Sequence, residues 1–192
     1  MKTRSIFLTT IFVVFPAIIF LIWLGVWQVQ RLQWKTSLIE TREENFEKDP
    51  LILPARDYVL ERTGWRRVEA TGTFDHLKEF HLWSIRDGAA GFEVLTPLSP
   101  IGYRAAPILV DRGWVPSDLK NPATRLSGQI EGEVTITGYI RTDLDIPQPY
   151  TLENEPENNI WYIVDYIAMG NRDQTLYRPG ILIADDAPNL GG

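Results

Sequence analysis

The chain has 192 residues, a formal net charge of −6 and a sequence pI near 5.0. No basic stripe is present to release counterions, so nucleic acid is excluded as a partner. Cysteine is absent, which removes disulfides, thiolate metal sites and cysteine nucleophiles together.

The stretch Ile6–Trp27 carries no charge across 22 residues. As a helix it spans about 33 Å, close to the hydrocarbon thickness of a bilayer. Lys2 and Arg4 precede it, Arg31 and Lys35 follow, and Trp23, Trp27 and Trp34 gather at its C-terminal end, where indole rings favour the headgroup level. A cleaved signal peptide needs a shorter apolar run and a small-residue cleavage site. Between Trp23 and Lys35 the only small residue is Gly25, so the segment reads as an uncleaved anchor in contact with membrane lipid. Pro16 is expected to kink it. The distribution of lysine and arginine does not fix orientation, because long domains cross largely regardless of it.

Trp23, Trp27, Arg31 and Trp34 fall on one helical stripe. Two readings fit this stripe. It forms an interfacial aromatic belt with a snorkelling arginine, or a docking seam for a second transmembrane helix or a flat aromatic cofactor. From Lys35 to Lys48 the sequence is charged and continues as a solvated helix until Pro50 and Pro54 stop it. The expected division is residues 1–35 as anchor, 36–56 as charged juxtamembrane helix and linker, and 57–192 as a single β-rich domain.

Beyond the linker the period becomes two. Val68, Ala70, Gly72 and Phe74 share one parity, opposite Arg67, Glu69, Thr71 and Thr73, which predicts a half-buried strand. Further strands are predicted over 79–85, 92–98, 107–115 and 133–142, separated by Asp87-Gly88, by Pro100 with Gly102, and by a polar loop over 117–132. Residues 160–169 read equally as strand or short helix, and 176–184 as a closing strand broken by Pro179-Gly180. The fold expected is an N-terminal transmembrane helix plus a mainly β (α+β) domain, an antiparallel barrel or sandwich. Seven tryptophans and 13 prolines suit such packed, punctuated β structure.

Reactive constellations are scarce. His76 and His81 are the only histidines; at this spacing they point to opposite faces of a strand and lie about 140° apart on a helix, so neither arrangement lets them share a metal without a turn between them. They read as a solvated turn histidine and a surface strand histidine. The serines lack a G-x-S-x-G or S-x-x-K setting, and Asp185-Asp186 reads as a solvated turn. No catalytic and no metal-binding residue is assigned, and the chain is not expected to be an enzyme. One feature calls for a partner: Arg112 lies on a strand face with Ile108, Val110 and Trp114. A guanidinium there needs a carboxylate or the rim. Either an internal salt bridge with tryptophan stacking holds it, or Arg112 and Trp114 await an anionic group of a partner or ligand.

Several blocks carry a resemblance. Gly25-Val26-Trp27-Gln28 followed by Arg31 and Trp34-Lys35, then Gly72-Thr73-Phe74-Asp75-His76, then Gly91 to Leu98, come in that order. Leu109-Val110-Asp111-Arg112-Gly113-Trp114-Val115-Pro116 follows, with Gly138, Arg141, Asn154, Pro156, Asn159, Trp161, Asp165 and Met169 beyond it. Together, over about residues 20 to 190, they resemble the Surfeit locus protein family of cytochrome oxidase biogenesis factors. The resemblance implies a membrane-bound assembly factor that helps place haem a in the catalytic subunit of a haem–copper oxidase. It also implies a domain on the periplasmic side of a bacterial inner membrane, or on the intermembrane-space side in mitochondria. Partners implied are that subunit or its assembly intermediate and a haem a synthesis enzyme. No arginine-rich transit segment precedes Ile6, so the bacterial setting is expected. The family pattern continues into a second transmembrane helix carrying the histidine proposed as haem ligand, and this chain stops at about that point, at Asn189 to Gly192. No residue here inherits the ligand role, so Trp23, Trp27, Arg31 and Trp34 are candidate haem or partner contacts only. A structural chaperone that touches no cofactor is the alternative function.

Overall fold

The computed structural model describes residues 2–53, 65–102, 105–142, 144 and 150–185. They form two compact units, 1–44 and 45–192.

The first unit is most of a helix, α1 (Lys2–Glu47), with Pro16 inside it. Its 46 residues would run about 69 Å at the ordinary rise. The segment Val14–Ser37 is long and apolar enough to cross a membrane, and none of it is buried within the protein. Near its end, where the sequence turns polar, Thr36 Oγ1 donates to Leu32 O (3.0 Å) and Ser37 Oγ to Trp34 O (2.9 Å). These hydroxyls are thereby satisfied on the helix itself.

The second unit is built on seven strands: β1 (Leu51–Leu53), β2 (Arg67–Phe74), β3 (Phe80–Arg86), β4 (Ala89–Pro100), β5 (Ile108–Pro116), β6 (Glu133–Arg141) and β7 (Arg178–Ala184). Their order is β1-β2-β6-β7-β5-β4-β3, and β2 also pairs with β4. That last pairing closes β2, β6, β7, β5 and β4 into a five-stranded barrel rather than a sandwich. β1 and β3 are left as extensions. Most pairings are antiparallel, but β1 runs parallel to β2 and β7 parallel to β5.

Alternation decides what fills the barrel. In β2, Val68, Ala70 and Gly72 are buried, as their parity predicts, and Ile136 and Ile140 of β6 match them. With Leu53, Leu98, Ile108, Val110 and Leu182 they form the interior. Burying one such valine or leucine contributes about 1.5–3 kcal/mol. A second layer lies on the outer face of β3, β4, β5 and β7. There Phe80, Leu95, Leu109 and Ile181 pack with Trp161, Val164, Met169 and Tyr177. The cover includes a short helix, α2 (Tyr166–Asp173), whose N-cap Asp165 accepts from the Ile167 and Ala168 amides. The ambiguous stretch 160–169 therefore contains both forms: a bridge of Trp161 to Leu82 and then the start of α2.

Four expectations change. Leu51–Leu53, assigned to the linker, is a strand paired with Val68–Ala70; three residues between two prolines carry no readable period. Residues 54–56 of that linker and Asp186 lie outside the described residues, whereas Asp185 is not idle: its Oδ2 accepts from Arg67 Nη2 at 2.8 Å. The polar loop contains three successive 3-10 turns, at Ser117–Leu119, Pro122–Thr124 and Leu126–Gly128. The Pro179-Gly180 break leaves β7 in the sheet and shifts its register against β5 between Ile108 and Leu109.

At Gly138 two backbones meet: a Cβ there would lie 2.0 Å from Ile183 O. Neither strand can retreat without opening the barrel. Gly138→Ala should lower the thermal midpoint of the full chain in detergent by roughly 5–10 °C, the shift expected when overpacking costs a few kcal/mol. The exposed neighbour substitution Thr137→Ala should leave it nearly unchanged. An unaltered midpoint in the Gly138 variant would refute the close approach.

Candidate functional site

A buried polar cluster lies where β2 and β6 end and β3, β4 and β5 run on. Its placement begins with a bulge. In β5, Asp111 faces Leu95 of β4 and Trp114 faces Glu93, so Arg112 and Gly113 together oppose Val94. Gly113 has φ 116°, a conformation that favours glycine. Asp111 Oδ1 holds the bulge by accepting from the Gly113 amide at 2.9 Å.

The bulge separates two residues that plain alternation puts together. Arg112 stays on the inner face with Val110 and is 5% exposed. Trp114 is displaced to the outer face opposite Glu93. It lies across the β3–β4 hairpin at Gly91, where its ring fills the space a Cβ would need. The Arg86 guanidinium sits 5.9 Å from the Trp114 ring.

Inside, Arg112 pairs with neither a carboxylate nor a tryptophan among the described residues. Its Nη2 donates to Gly128 O, its Nη1 lies 3.4 Å from His76 Nδ1, and its guanidinium covers the Phe74 ring at 5.1 Å. Nε has no partner. Burial lowers its pKa to about 10; Glu79 works against that shift and Arg125 adds to it. The group is charged at neutral pH and carried by carbonyl, imidazole and ring contacts.

Both histidines differ from expectation. His76 is half-buried, with Nε2 2.8 Å from Ile130 O. Because Arg112 can only donate, His76 Nδ1 accepts and Nε2 carries the proton. His81 is not on the surface; it is 4% exposed, opposite Val94 on the inner face. The strand pattern misleads because β3 is covered on both sides.

The partners of His81 are fixed by a chain of donors. Trp161 Nε1 and Arg172 Nη1, which can only donate, both point at Asn159 Oδ1, at 3.0 and 2.6 Å. The amide orientation follows, so Asn159 Nδ2 donates to Glu79 O at 2.9 Å and to His81 Nδ1 at 3.0 Å. His81 must then donate from Nε2, and it does so to Glu79 Oε1 at 2.8 Å. The same oxygen accepts from Arg125 Nη2 at 2.6 Å. Glu79 is 3% exposed and its Oε2 has no hydrogen-bond partner. Burial pushes the Glu79 carboxyl up, but the His81 hydrogen bond and the Arg125 charge outweigh it and hold the carboxyl below its usual range.

This arrangement rigidifies; it does not supply reactivity. Each imidazole nitrogen is occupied, and among the described residues no group of histidine, aspartate and glutamate is placed to hold a metal. Glu79, Arg125 and Asn159 were missed in the sequence. Glu79 and His81 two apart were a readable hint, but Arg125 sits in an aperiodic loop.

In the other unit, the stripe on α1 is exposed at Trp23, Trp27 and Trp34. The helix brings Arg31 over the Trp27 ring at 5.3 Å, and Phe20 beside Trp23 at 6.0 Å.

Two carboxylates predict opposite pH effects. Glu79 is held low when folded, so it stabilises above the unfolded carboxylate pKa and loses that contribution as pH falls through its folded value. Glu79→Gln should cost about 3–5 kcal/mol at pH 7, with the gap to wild type closing in acid. Asp111 is pushed up to about 6 by burial and by Glu93, so its contribution is full below the unfolded pKa and is lost as pH rises through about 6. Asp111→Asn should therefore gain on wild type as pH rises from about 4 to 6, then run parallel. Urea unfolding of the full chain in detergent across pH 3–8 checks both; two flat differences would refute these assignments.

Residues 15–192 match the sequence profile of the SURF1 family. The chain is 37% identical over 161 residues to Surfeit locus protein 1 of Homo sapiens, a match covering 76% of this chain and 53% of that protein. It is 38% identical over 163 residues to Surfeit locus protein 1 of Mus musculus, covering 76% and 52%. With the SURF1-like protein of Monosiga brevicollis it shares 34% identity over 164 residues, covering 80% and 62%. The chain spans about half the length of most of the curated relatives it matches.

Proposed function

The chain belongs to the SURF1 family, and on that premise we propose that it is a membrane-anchored assembly factor for a haem–copper terminal oxidase. The family match over residues 15–192 carries the proposal, since it takes in both the apolar helix and the barrel. Val14–Ser37 is the anchor; its apolar surface is unburied in the protein and lipid satisfies it. We place the barrel on the periplasmic side of a bacterial inner membrane, and we take the partner to be the oxidase catalytic subunit or its assembly intermediate, with a haem a synthesis enzyme upstream. No reaction is assigned to the chain itself.

Assistance to haem a insertion belongs to the same proposal, and it is limited by the residues available. Haem iron is commonly held by a histidine. Both nitrogens of His81 and both of His76 already have partners, and freeing either imidazole would orphan Glu79 or Arg112 contacts. These residues do not fit an axial ligand. Trp23, Trp27, Trp34 and Arg31 offer aromatic faces and one cation, contacts that orient a porphyrin or a partner helix without binding iron. The occupied imidazoles favour the second reading, in which these residues hold the oxidase intermediate without ligating haem.

Deleting the gene and recording membrane haem spectra tests the function; loss of the haem a band is expected, and an unchanged oxidase spectrum refutes it. Haem titration of the 192-residue chain in detergent should give no six-coordinate Soret spectrum. Stoichiometric six-coordinate binding that His76→Ala or His81→Ala abolishes would make the barrel itself a haem carrier. A periplasmic reporter fused after Gly192 should be active, and cytoplasmic activity alone would overturn the topology.

A further inference from the structure

The strand β3 ends the sheet on one side, and only part of its outer edge is covered. Its pairing with β4 is regular, from Phe80 opposite Leu95 to Arg86 opposite Ala89. Trp83 N donates outward to Trp161 O at 2.7 Å, and Trp161 N donates to His81 O at 3.0 Å. The odd-numbered residues of β3 therefore direct their backbone groups away from β4, toward the edge. Trp161 lies parallel to β3 at Leu82, so the next rung of this ladder would be the Ile163 amide on Trp83 O. That rung is not made. Asn154 Oδ1 instead accepts from the Tyr162 and Ile163 amides, at 2.8 and 3.1 Å.

The interrupted ladder leaves Trp83 C=O, Ile85 N–H and Ile85 C=O facing outward without a partner among the described residues. The side chains beside them are apolar and open: Ile85 is 58% exposed and Trp83 40%. Tyr162 lies 6.0 Å from the Trp83 ring and extends this face. On the opposite face of the hairpin the Trp114 ring lies under Arg86. Natural edges are usually blunted by lysine, proline or a covering loop. Here the cover stops short, and the open part has an aromatic surface on each face.

We propose that the Trp83–Arg86 edge is the docking site for an extended segment of the protein being assembled, which adds to the sheet as a further strand. Only another backbone supplies an acceptor, a donor and a further donor at strand spacing, so the occupant is a peptide strand rather than a lipid or a small molecule. Alternate side chains of that strand meet Trp83 and Ile85 on one face and Arg86 with Trp114 on the other. The favoured segment is apolar at every second position, where it meets Trp83 and Ile85, and polar on the other face, where Arg86 already pairs with Glu93 Oε1 at 3.6 Å. The identity of the partner rests on the oxidase-assembly reading; the edge itself does not.

The test uses the full chain in detergent and two sets of short synthetic peptides. One set tiles the water-exposed loops of a haem–copper oxidase catalytic subunit, and the other alternates valine with glutamate in unrelated sequences. Binding should slow hydrogen exchange at the Ile85 amide. Ile85→Pro removes the outward N–H while sparing every β3–β4 bond, because the Ile85 backbone faces away from β4. It should weaken binding about tenfold or more with the fold intact. Should that variant unfold, Ile85→Lys, which guards the edge with a charge, carries the same expectation. The proposal is overturned if no peptide slows exchange at Ile85, or if a folded edge variant binds as tightly as wild type. Binding of the valine–glutamate set alone keeps the edge and sinks the oxidase as its partner. A concentration-dependent dimer that Ile85→Pro abolishes would give the edge to a second copy of this chain and overturn the assignment.

Discussion

Two residues of β5, Arg112 and Gly113, stand opposite the single Val94 of β4, and this extra residue sets the direction of everything after it. Without it, Trp114 would face inward beside Arg112. With it, the cation remains inside and the indole goes out over the hairpin at Gly91. A buried guanidinium must then be solvated by protein, since burying an unpaired charge is far costlier than burying a paired one. The groups that solvate it come from two turns, His76 and Gly128, so the bulge ties those turns together across the end of the barrel.

The remaining polar groups follow from that closure. Arg125 pairs with Glu79, while Arg112 feels the same carboxylate only at longer range, so the cluster retains an excess of positive charge. Each ring and amide orientation in it is forced by a neighbour that can only donate: Arg112 for His76, Trp161 and Arg172 for Asn159, and through Asn159 for His81. Such a network has no slack proton. Its stability depends on all members together, because losing one leaves another buried and unpaired. That distinguishes a scaffold from a site for proton transfer, where one imidazole nitrogen must be free to exchange.

Much of the fold was legible, and the reasons are local. The parity of Val68, Ala70 and Gly72 predicts β2 because one face of that strand is solvated, which is the condition under which alternation is readable. Phe80, His81 and Leu82 are buried in succession, since α2 and its flanks cover one side of β3 and the barrel end the other; a surface histidine was the natural but mistaken reading. β1 was illegible because three residues between prolines have no period, and only the pairing with β2 makes them a strand. The bulge had a faint signal, an isolated glycine within an apolar strand. The signature stretch around it was recognisable as a pattern, yet its geometry contradicts the simple alternation that first put Arg112 and Trp114 together. Arg125 had no signal at all: its burial depends on where three aperiodic turns pass over the barrel.

The described residues leave two kinds of surface unsatisfied, and they differ in what they can specify. The aliphatic side chains of Val14–Ser37 can be satisfied by any hydrocarbon, so by themselves they specify an apolar surrounding and no register. The open backbone groups of Trp83 and Ile85 impose spacing, direction and register on whatever meets them, because hydrogen bonds are directional and a one-residue slip exchanges the two faces of a strand. A rigid, fully committed polar cluster next to that edge has a physical use. His81 is two residues from Trp83, and its ring is fixed by Asn159 and Glu79. The start of β3 is thereby tied down, and a segment docking on the edge beyond it would meet backbone already in strand conformation. Recognition then costs less ordering than two mobile segments would demand. The buried Glu79, His81 and Arg125 contacts thus fix the start of the strand from which that edge extends.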